Sequence, residues 1–264
     1  MSSPLIPTRL AHFIEYVGPS YGTVELSKFL SAIVEMQLPE VVVELGTGLG
    51  ASAIWMAHAL KRNGIGHLWT VDDGESFERR PQIFADIVSY LRDNNIATFA
   101  PCGSQEYFTE IARAFEVQDY VTFIKSKLRV HERGHFDSYP FNDKRIDLLF
   151  SDFAHGPSTV LSLLAHFLPR MSAASSMFID SASTSWPTYL LLENVVSNLN
   201  HGIVPYELQA RSDANLNGVM QNRRINLIHL TKKKGRNQNS TAWLKIEPVD
   251  VFPHPRVAMH NLKD

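Results

Sequence analysis

Residues 41–60, VVVELGTGLGASAIWMAHAL, limit what this chain can fold into more than any other stretch. An apolar, β-branched segment runs into three glycines within five residues. It leaves as a helical pattern with Ile54, Trp55, Ala57 and Leu60 inward and Gly64 as its stop. Glycine tolerates positive φ and lets backbone approach closely, so the spacing predicts a buried strand, a tight turn and a helix.

The same alternation continues along the chain. HLWTVDD reads as a second strand, YVTFIK as a third, RIDLLFSDF as a fourth and SSMFIDSAS as a fifth. Between them lie helical patterns: PQIFADIVSYLRDNN with Pro81 in its first turn, SQEYFTEIARAFEV with Ser104 as N-cap, and GPSTVLSLLAHFLPRM. SWPTYLLLENVVSNLNHG follows, stopped by Gly202. Strands that alternate with helices imply a mostly parallel sheet covered on both faces, an α/β three-layer sandwich. IVPYELQA and RINLIHLTKK break the rhythm and read as an antiparallel final pair, which makes seven strands. With 264 residues and 44% hydrophobic content, one large core is expected, a single domain over 1–264. It has a helical cap at 1–38, a polar segment at 126–145 that reads as a surface insertion or a lid, and a C-terminal extension at 234–264.

Composition excludes several roles. A formal charge of -2 offers no general attraction to phosphate backbones, so no nucleic-acid partner is expected. Cys102 is the single cysteine, which allows no internal disulfide and fits a reducing compartment. The start of the chain lacks a signal-peptide pattern, and no apolar run nears the roughly 18 residues of a membrane helix. A cytoplasmic protein with no membrane partner is expected.

The turn Gly46-Thr47-Gly48-Leu49-Gly50-Ala51 satisfies the spacing of a dinucleotide-binding turn, so an NAD(P) oxidoreductase stands as one reading. Glu44 argues against it. A helix N-terminus that receives a pyrophosphate favours negative charge, and a carboxylate beside it opposes that. S-adenosylmethionine has no phosphate and carries an amino group and a sulfonium, which a carboxylate can hold directly or through water. Thr47 and Ser52 are placed to meet the cofactor's carboxylate, although Ser52 would equally satisfy helix donors. Asp72 and Asp73 end the second strand, and Asp72 lies 22 positions after Gly50, where an acid accepts hydrogen bonds from ribose hydroxyls.

These motifs resemble the class I S-adenosylmethionine-dependent methyltransferases over roughly residues 40–232, with VVVELGTGLG as the first motif and LWTVDD as the second. RIDLLFSDFAH is similar to that family's fourth strand, SSMFIDSAS to its fifth, and the terminal strand pair to its reversed final strand. The resemblance implies a Rossmann-like fold, S-adenosyl-L-methionine as cofactor, and Glu44, Gly46, Thr47, Gly48, Ser52, Asp72, Asp73 and Asp152 as the residues around it.

In open α/β sheets the chemistry collects beyond the carboxyl ends of the strands, here at Ser151-Asp152-Phe153-Ala154-His155 and Asp180-Ser181. A near-neutral histidine suits removal of an acceptor proton, which points to His155, and neighbouring carboxylates suit a divalent cation. Asp152-x-x-His155 with Asp180 resembles the metal-dependent small-molecule O-methyltransferases, which implies Mg2+ on Asp152 and Asp180 and His155 as base. The pattern departs from those relatives at Ser181, where they place a further ligand. The strand end SDFAH lacks the prolines that cradle a base amine, which leaves a small-molecule acceptor methylated on oxygen or nitrogen, as in secondary-metabolite biosynthesis. Tyr16, Tyr21 and Trp186 are candidate walls for a ring, or core. His131-Glu132-Arg133-Gly134-His135 matches the letters of a zinc motif that needs a helix, which Gly134 opposes. A catalytically inactive partner subunit also stands as a reading, its tail serving as interaction arm or homodimer contact.

Overall fold

In the computed structural model the described residues are 6–17, 24–75, 79, 81–95, 103–231 and 240–249. The chain divides into two compact units, Met1–Phe153 and Ala154–Asp264.

The first unit begins with helices α1 (Ile6–Val17) and α2 (Val24–Gln37) and continues with β1 (Val41–Leu45), α3 (Ala51–Asn63) and β2 (His67–Asp72). Helices α4 (Pro81–Asp93) and α5 (Ser104–Ala114) precede β3 (Val121–Lys125) and β4 (Ile146–Ser151). All pairings here are parallel: β1 with β2, β1 with β4, and β2 with β3. The register brings the carboxyl ends level, with Leu45 opposite Val71 and Ser151, and Asp72 opposite Lys125. One edge of the sheet therefore carries the turn after β1, the acids after β2 and the residues after β3 and β4. Helix α3 is buried on nearly every side. Its small residues Ala51, Ala53, Ala57 and Ala59 let α1 and α2 pack close, while Ile54, Met56 and Leu60 fill the core. It ends as expected at Gly64, whose φ of 71° lets its N–H cap the carbonyls of Leu60 and Lys61.

The second unit holds α6 (Pro157–Phe167), β5 (Met171–Asp180), α7 (Trp186–Asn200), the short helices α8 (Tyr206–Arg211) and α9 (Leu216–Met220), β6 (Arg223–Thr231) and β7 (Ser240–Pro248). Strand β7 runs antiparallel to both β5 and β6. The strand order over the chain is β3-β2-β1-β4-β5-β7-β6, a mixed and mostly parallel seven-stranded sheet flanked by helices.

Two expectations for this half are corrected. IVPYELQA does not form a strand: after Pro205 the chain turns into α8, which buries Leu208 and leaves Tyr206 in solvent. The partner of β6 is β7, inside the stretch expected to be an extension. Ala242, Leu244 and Ile246 alternate into the core there, and the strand is interior rather than marginal. In the first unit Ser104 is not a cap either. Gly103 takes that position with extended φ and ψ, and the Ser104 side chain packs beneath Gly74, its Oγ 2.5 Å from where a Cβ on that glycine would sit.

Residues 130–143 run as successive turns that bury Val130, Phe136, Tyr139 and Phe141. The rings of Phe136 and Phe141 lie 5.3 Å and 5.4 Å from that of Tyr139. His131 to His135 form no helix, and Gly134 at φ 70° is the point at which a helical path would break. Tyr16 stacks on Tyr90 at 4.1 Å and donates to the Asp86 carbonyl, which makes it packing, whereas Trp186 is 67% exposed. Tyr21, Cys102 and residues 250–264 lie outside the described residues. Among those described, no helix is long and apolar enough to cross a membrane.

Leu244→Ala tests the interior place of β7. Removing this fully buried side chain is expected to lower the urea unfolding free energy by about 2–5 kcal/mol, whereas a loss under about 0.5 kcal/mol would show that β7 lies outside the core.

Candidate active site

The turn between β1 and α3 is built from three left-handed glycines, Gly46 at φ 94°, Gly48 at 52° and Gly50 at 78°. Their N–H groups are all satisfied within the fold: Gly46 donates to the Val71 carbonyl at 2.8 Å, Gly48 to Asp72 Oδ2 at 3.0 Å and Gly50 to the Thr47 carbonyl at 2.8 Å. A Cβ on Gly46 would stand 2.8 Å from the carbonyl carbon and oxygen of Asp152, so turn and strand end touch backbone to backbone. Helix α5 braces the other side. The buried Tyr107 hydroxyl donates to the Leu49 carbonyl at 3.1 Å, and Ile111 lies against Gly50. Burial pushes the Tyr107 phenol well above its ordinary pKa.

Glu44 lies under this turn with no exposed surface. Ser52 donates to its Oε1 and Thr70 to its Oε2, each at 2.5 Å. Thr47 and Thr70 hydroxyls are also 2.5 Å apart, and since the Thr70 proton goes to Glu44, Thr47 is the donor of that pair. Burial raises the Glu44 pKa to about 7, the two hydroxyls pull it back down, and the nearby Asp72 pushes it up. The expectation that Glu44 itself meets a cofactor is thereby revised, because a side chain without exposed surface touches no ligand arriving from solvent. Its hydrogen bond runs to Ser52, which is partly exposed at the start of α3. Thr47 is buried in the same chain of hydroxyls.

Asp72 is half-buried and accepts from Gly74 N–H at 2.7 Å as well as from Gly48. Burial raises its pKa, and the backbone donors of Gly48 and Gly74 oppose that rise. Asp73 Oδ1 accepts from the Glu75 N–H at 2.8 Å and shapes its own loop. The first unit thus gathers Glu44, Gly46, Thr47, Gly48, Ser52, Asp72 and Asp73 around one turn. Asp152 sits exposed at the end of β4, its N–H bound to the Leu45 carbonyl at 2.8 Å.

In the second unit His155 is partly exposed just ahead of α6, whose N-cap is Gly156, and its carbonyl accepts from Thr188 at 2.7 Å. Asp180 ends β5 with Oδ1 accepting from Thr241 at 3.1 Å and Oδ2 from Ser181 at 2.9 Å. A magnesium ion needs several free oxygen ligands at once. Both Asp180 oxygens already accept hydroxyls, and among the described residues no group of three or more His, Cys, Asp or Glu side chains is arranged to hold a metal. The residues present do not fit the expected Mg2+ on Asp152 and Asp180. Sequence reasoning also passed over His229, whose Nδ1 lies 2.6 Å from Ser183 Oγ and whose Nε2 lies 3.1 Å from Glu193 Oε1. These residues come from 46 and 36 positions away, so no local pattern in the sequence marks them.

The glycine turn at the carboxyl end of β1 and the mostly parallel seven-stranded sheet with its antiparallel β7 are those of a class I S-adenosylmethionine-dependent methyltransferase. The chain belongs to the Methyltransferase domain family, which residues 43–182 match, more than half of its length. No curated protein matches its sequence. Among solved structures it is similar to a protein from Klebsiella pneumoniae described as an O-methyltransferase, at 15% identity and a TM-score of 0.50, with 94% of this chain and 91% of that one covered. It is similar to cofactor-bound Rv0187 from MTB at 14% identity and a TM-score of 0.50, over the same shares of the two chains. The O-methyltransferase TomG from Streptomyces achromogenes, involved in tomaymycin synthesis and solved with SAM, gives 16% identity and a TM-score of 0.48 over 94% of this chain and 91% of its own. At such identities the likeness speaks for the fold.

Glu44 carries a pH signature. Its folded pKa of about 7 lies above its unfolded value of 4.5, so below that value both states hold the proton. As pH rises to 7 the unfolded chain loses it first, and the Glu44 contribution to stability falls by about 3 kcal/mol by pH 8. Glu44→Gln is expected to remove this part of the slope in urea midpoints between pH 5 and 8. Identical slopes in the two proteins would refute it.

Proposed function

We propose that this chain transfers the methyl group of S-adenosyl-L-methionine to an oxygen atom of a small molecule. The observation that carries the reading is the closed set of glycine amides: Gly46, Gly48 and Gly50 give their N–H groups to Val71, Asp72 and Thr47. A pyrophosphate needs such amides free, and here one of them holds a carboxylate instead. In this reading Asp72 accepts from the ribose hydroxyls, and Ser52, held by Glu44, contacts the amino-acid end of the cofactor. Asp152 and His155 contact the acceptor.

The reaction is an in-line displacement. The acceptor oxygen forms a bond to the methyl carbon as the bond to sulfur breaks, and the acceptor proton passes to His155 while S-adenosylhomocysteine leaves neutral at sulfur. The Klebsiella pneumoniae protein similar in fold, described as an O-methyltransferase, supports oxygen over nitrogen as the atom modified.

Calorimetric titration with S-adenosylhomocysteine, NAD and NADP tests the cofactor. S-adenosylhomocysteine is expected to bind and neither dinucleotide to do so, and tight binding of a dinucleotide alone would overturn the reading. Turnover, followed as S-adenosylhomocysteine release over a panel of hydroxylated small molecules, is expected to fall about 10²-fold or more in His155→Ala. An unchanged rate would remove His155 from the mechanism.

A further inference from the structure

We propose that Ser183, His229 and Glu193 form a second reactive site, contained in the second unit, at which the Ser183 hydroxyl attacks the carbonyl carbon of a small aryl ester and hydrolyses it. The methyl transfer described above draws on none of these three residues.

The three side chains come from a loop, an edge strand and a helix that are held against one another. Helix α7 lies along β6, where Asn200 accepts from the Ile225 N–H at 2.8 Å and donates to the Ile225 carbonyl at 2.7 Å. Trp186, Tyr189 and Glu193 follow on that helix at i, i+3 and i+7, so they share one face. Tyr189 lays its ring against the His229 imidazole at 4.3 Å. The loop is pinned as well: Ser181, at φ 56°, donates its N–H to the Ser240 carbonyl at 2.6 Å, and Thr184 donates its N–H to Ser240 Oγ at 2.8 Å. Ser183 lies between these two anchors and is partly exposed.

The protons of the cluster run one way. The Glu193 carboxylate has no proton to give, so its contact of 3.1 Å with His229 Nε2 places the ring proton on that nitrogen. Nδ1 of the neutral ring then carries a lone pair, and Ser183 donates its hydroxyl to it at 2.6 Å. A hydroxyl held by a base that is itself oriented by a carboxylate is the arrangement that activates a serine as nucleophile.

Attack forms a bond from Oγ to the carbonyl carbon while the hydroxyl proton passes to Nδ1, and Glu193 faces the imidazolium so formed. The bond from that carbon to the aryl oxygen breaks, and the phenol leaves with the proton. Water then attacks the acyl carbon and gives a proton to Nδ1, and Ser183 Oγ recovers it as the carboxylic acid is released. The N-cap Ser185 makes no side-chain bond to the first turn of α7, which leaves that turn uncapped beside Ser183 for the charge that develops on the carbonyl oxygen. Trp186 stacks on Tyr189 with rings 5.5 Å apart and 6° from parallel, and its exposed face suits an aryl group.

Labelling with a fluorophosphonate and hydrolysis of 4-nitrophenyl acetate, both on the full chain without S-adenosyl-L-methionine, test the site. The fluorophosphonate is expected to lose fluoride to Ser183 Oγ, one equivalent per chain, located by peptide mass. Ser183→Ala is expected to lose the label and about 10²-fold or more of the hydrolysis rate at the wild-type melting temperature, and His229→Ala to lose as much of that rate. Glu193→Gln can turn an amide N–H toward Nε2 and shift the ring proton to Nδ1, so kcat is expected to drop at unchanged KM. A folded wild type that carries no label on Ser183, or a Ser183→Ala protein that hydrolyses the ester at the wild-type rate, would overturn the proposal. Labelling and hydrolysis unchanged in His229→Ala would do so too, and an unchanged kcat in Glu193→Gln would remove Glu193 from the site.

Discussion

One buried carboxylate joins three elements of the first unit. Glu44 belongs to β1, Thr70 to β2 and Ser52 to α3, and the two short hydrogen bonds of that acid tie all three at the point where the glycine turn begins. An acid placed without solvent is costly unless its oxygens are paired, and the cost here is met by hydroxyls, which donate to it without bringing a cation into the core. The arrangement leaves Glu44 near its midpoint at neutral pH, with burial as the leading cause. Asp72 holds the other side of the turn through Gly48 and Gly74.

The neighbouring helix takes part in the same economy of space. Tyr107 reaches from α5 to the Leu49 carbonyl, and Ile111 and Phe108 lie where a side chain at Gly50 would have to go. The three glycines therefore answer three separate demands: closeness to Asp152 at Gly46, donation to Asp72 at Gly48, and room for α5 at Gly50.

Local patterns carried the first half of the fold well. Three glycines in five residues, a β-branched run before them and a capped helix after them are signals within one short window, and they marked the turn and its acid correctly. What failed was pairing over distance. Strand β7 is visible only as the alternation of Ala242, Leu244 and Ile246, and its place between β5 and β6 is set by partners far away in sequence. The IVPYELQA stretch has strand-like residue types at its start, yet its buried side chain, Leu208, is better served by a helical turn. The site shows the same division. Glu44 and Asp72 were legible as acids beside the turn, but that Glu44 lies buried beneath it, held by Thr70 26 residues away, was not. The bonds from Ser183 through His229 to Glu193 join a loop, an edge strand and a helix that no local pattern links. A metal pair at Asp152 and Asp180 was read from residue type, and the hydroxyls of Ser181 and Thr241 that occupy Asp180 were not.

The contact between Gly46 and the Asp152 carbonyl also bears on how such a chain can be altered by design. With backbone against backbone at 2.8 Å from a would-be Cβ, neither loop can take an inserted residue or a grafted sequence without moving the other. Gly202 is the opposite case: at φ 76° it follows His201, the C-cap of α7, with no atom within 4 Å of its would-be Cβ. A reporter or an added domain belongs at that bend, where lengthening a surface loop costs only slowly growing closure entropy.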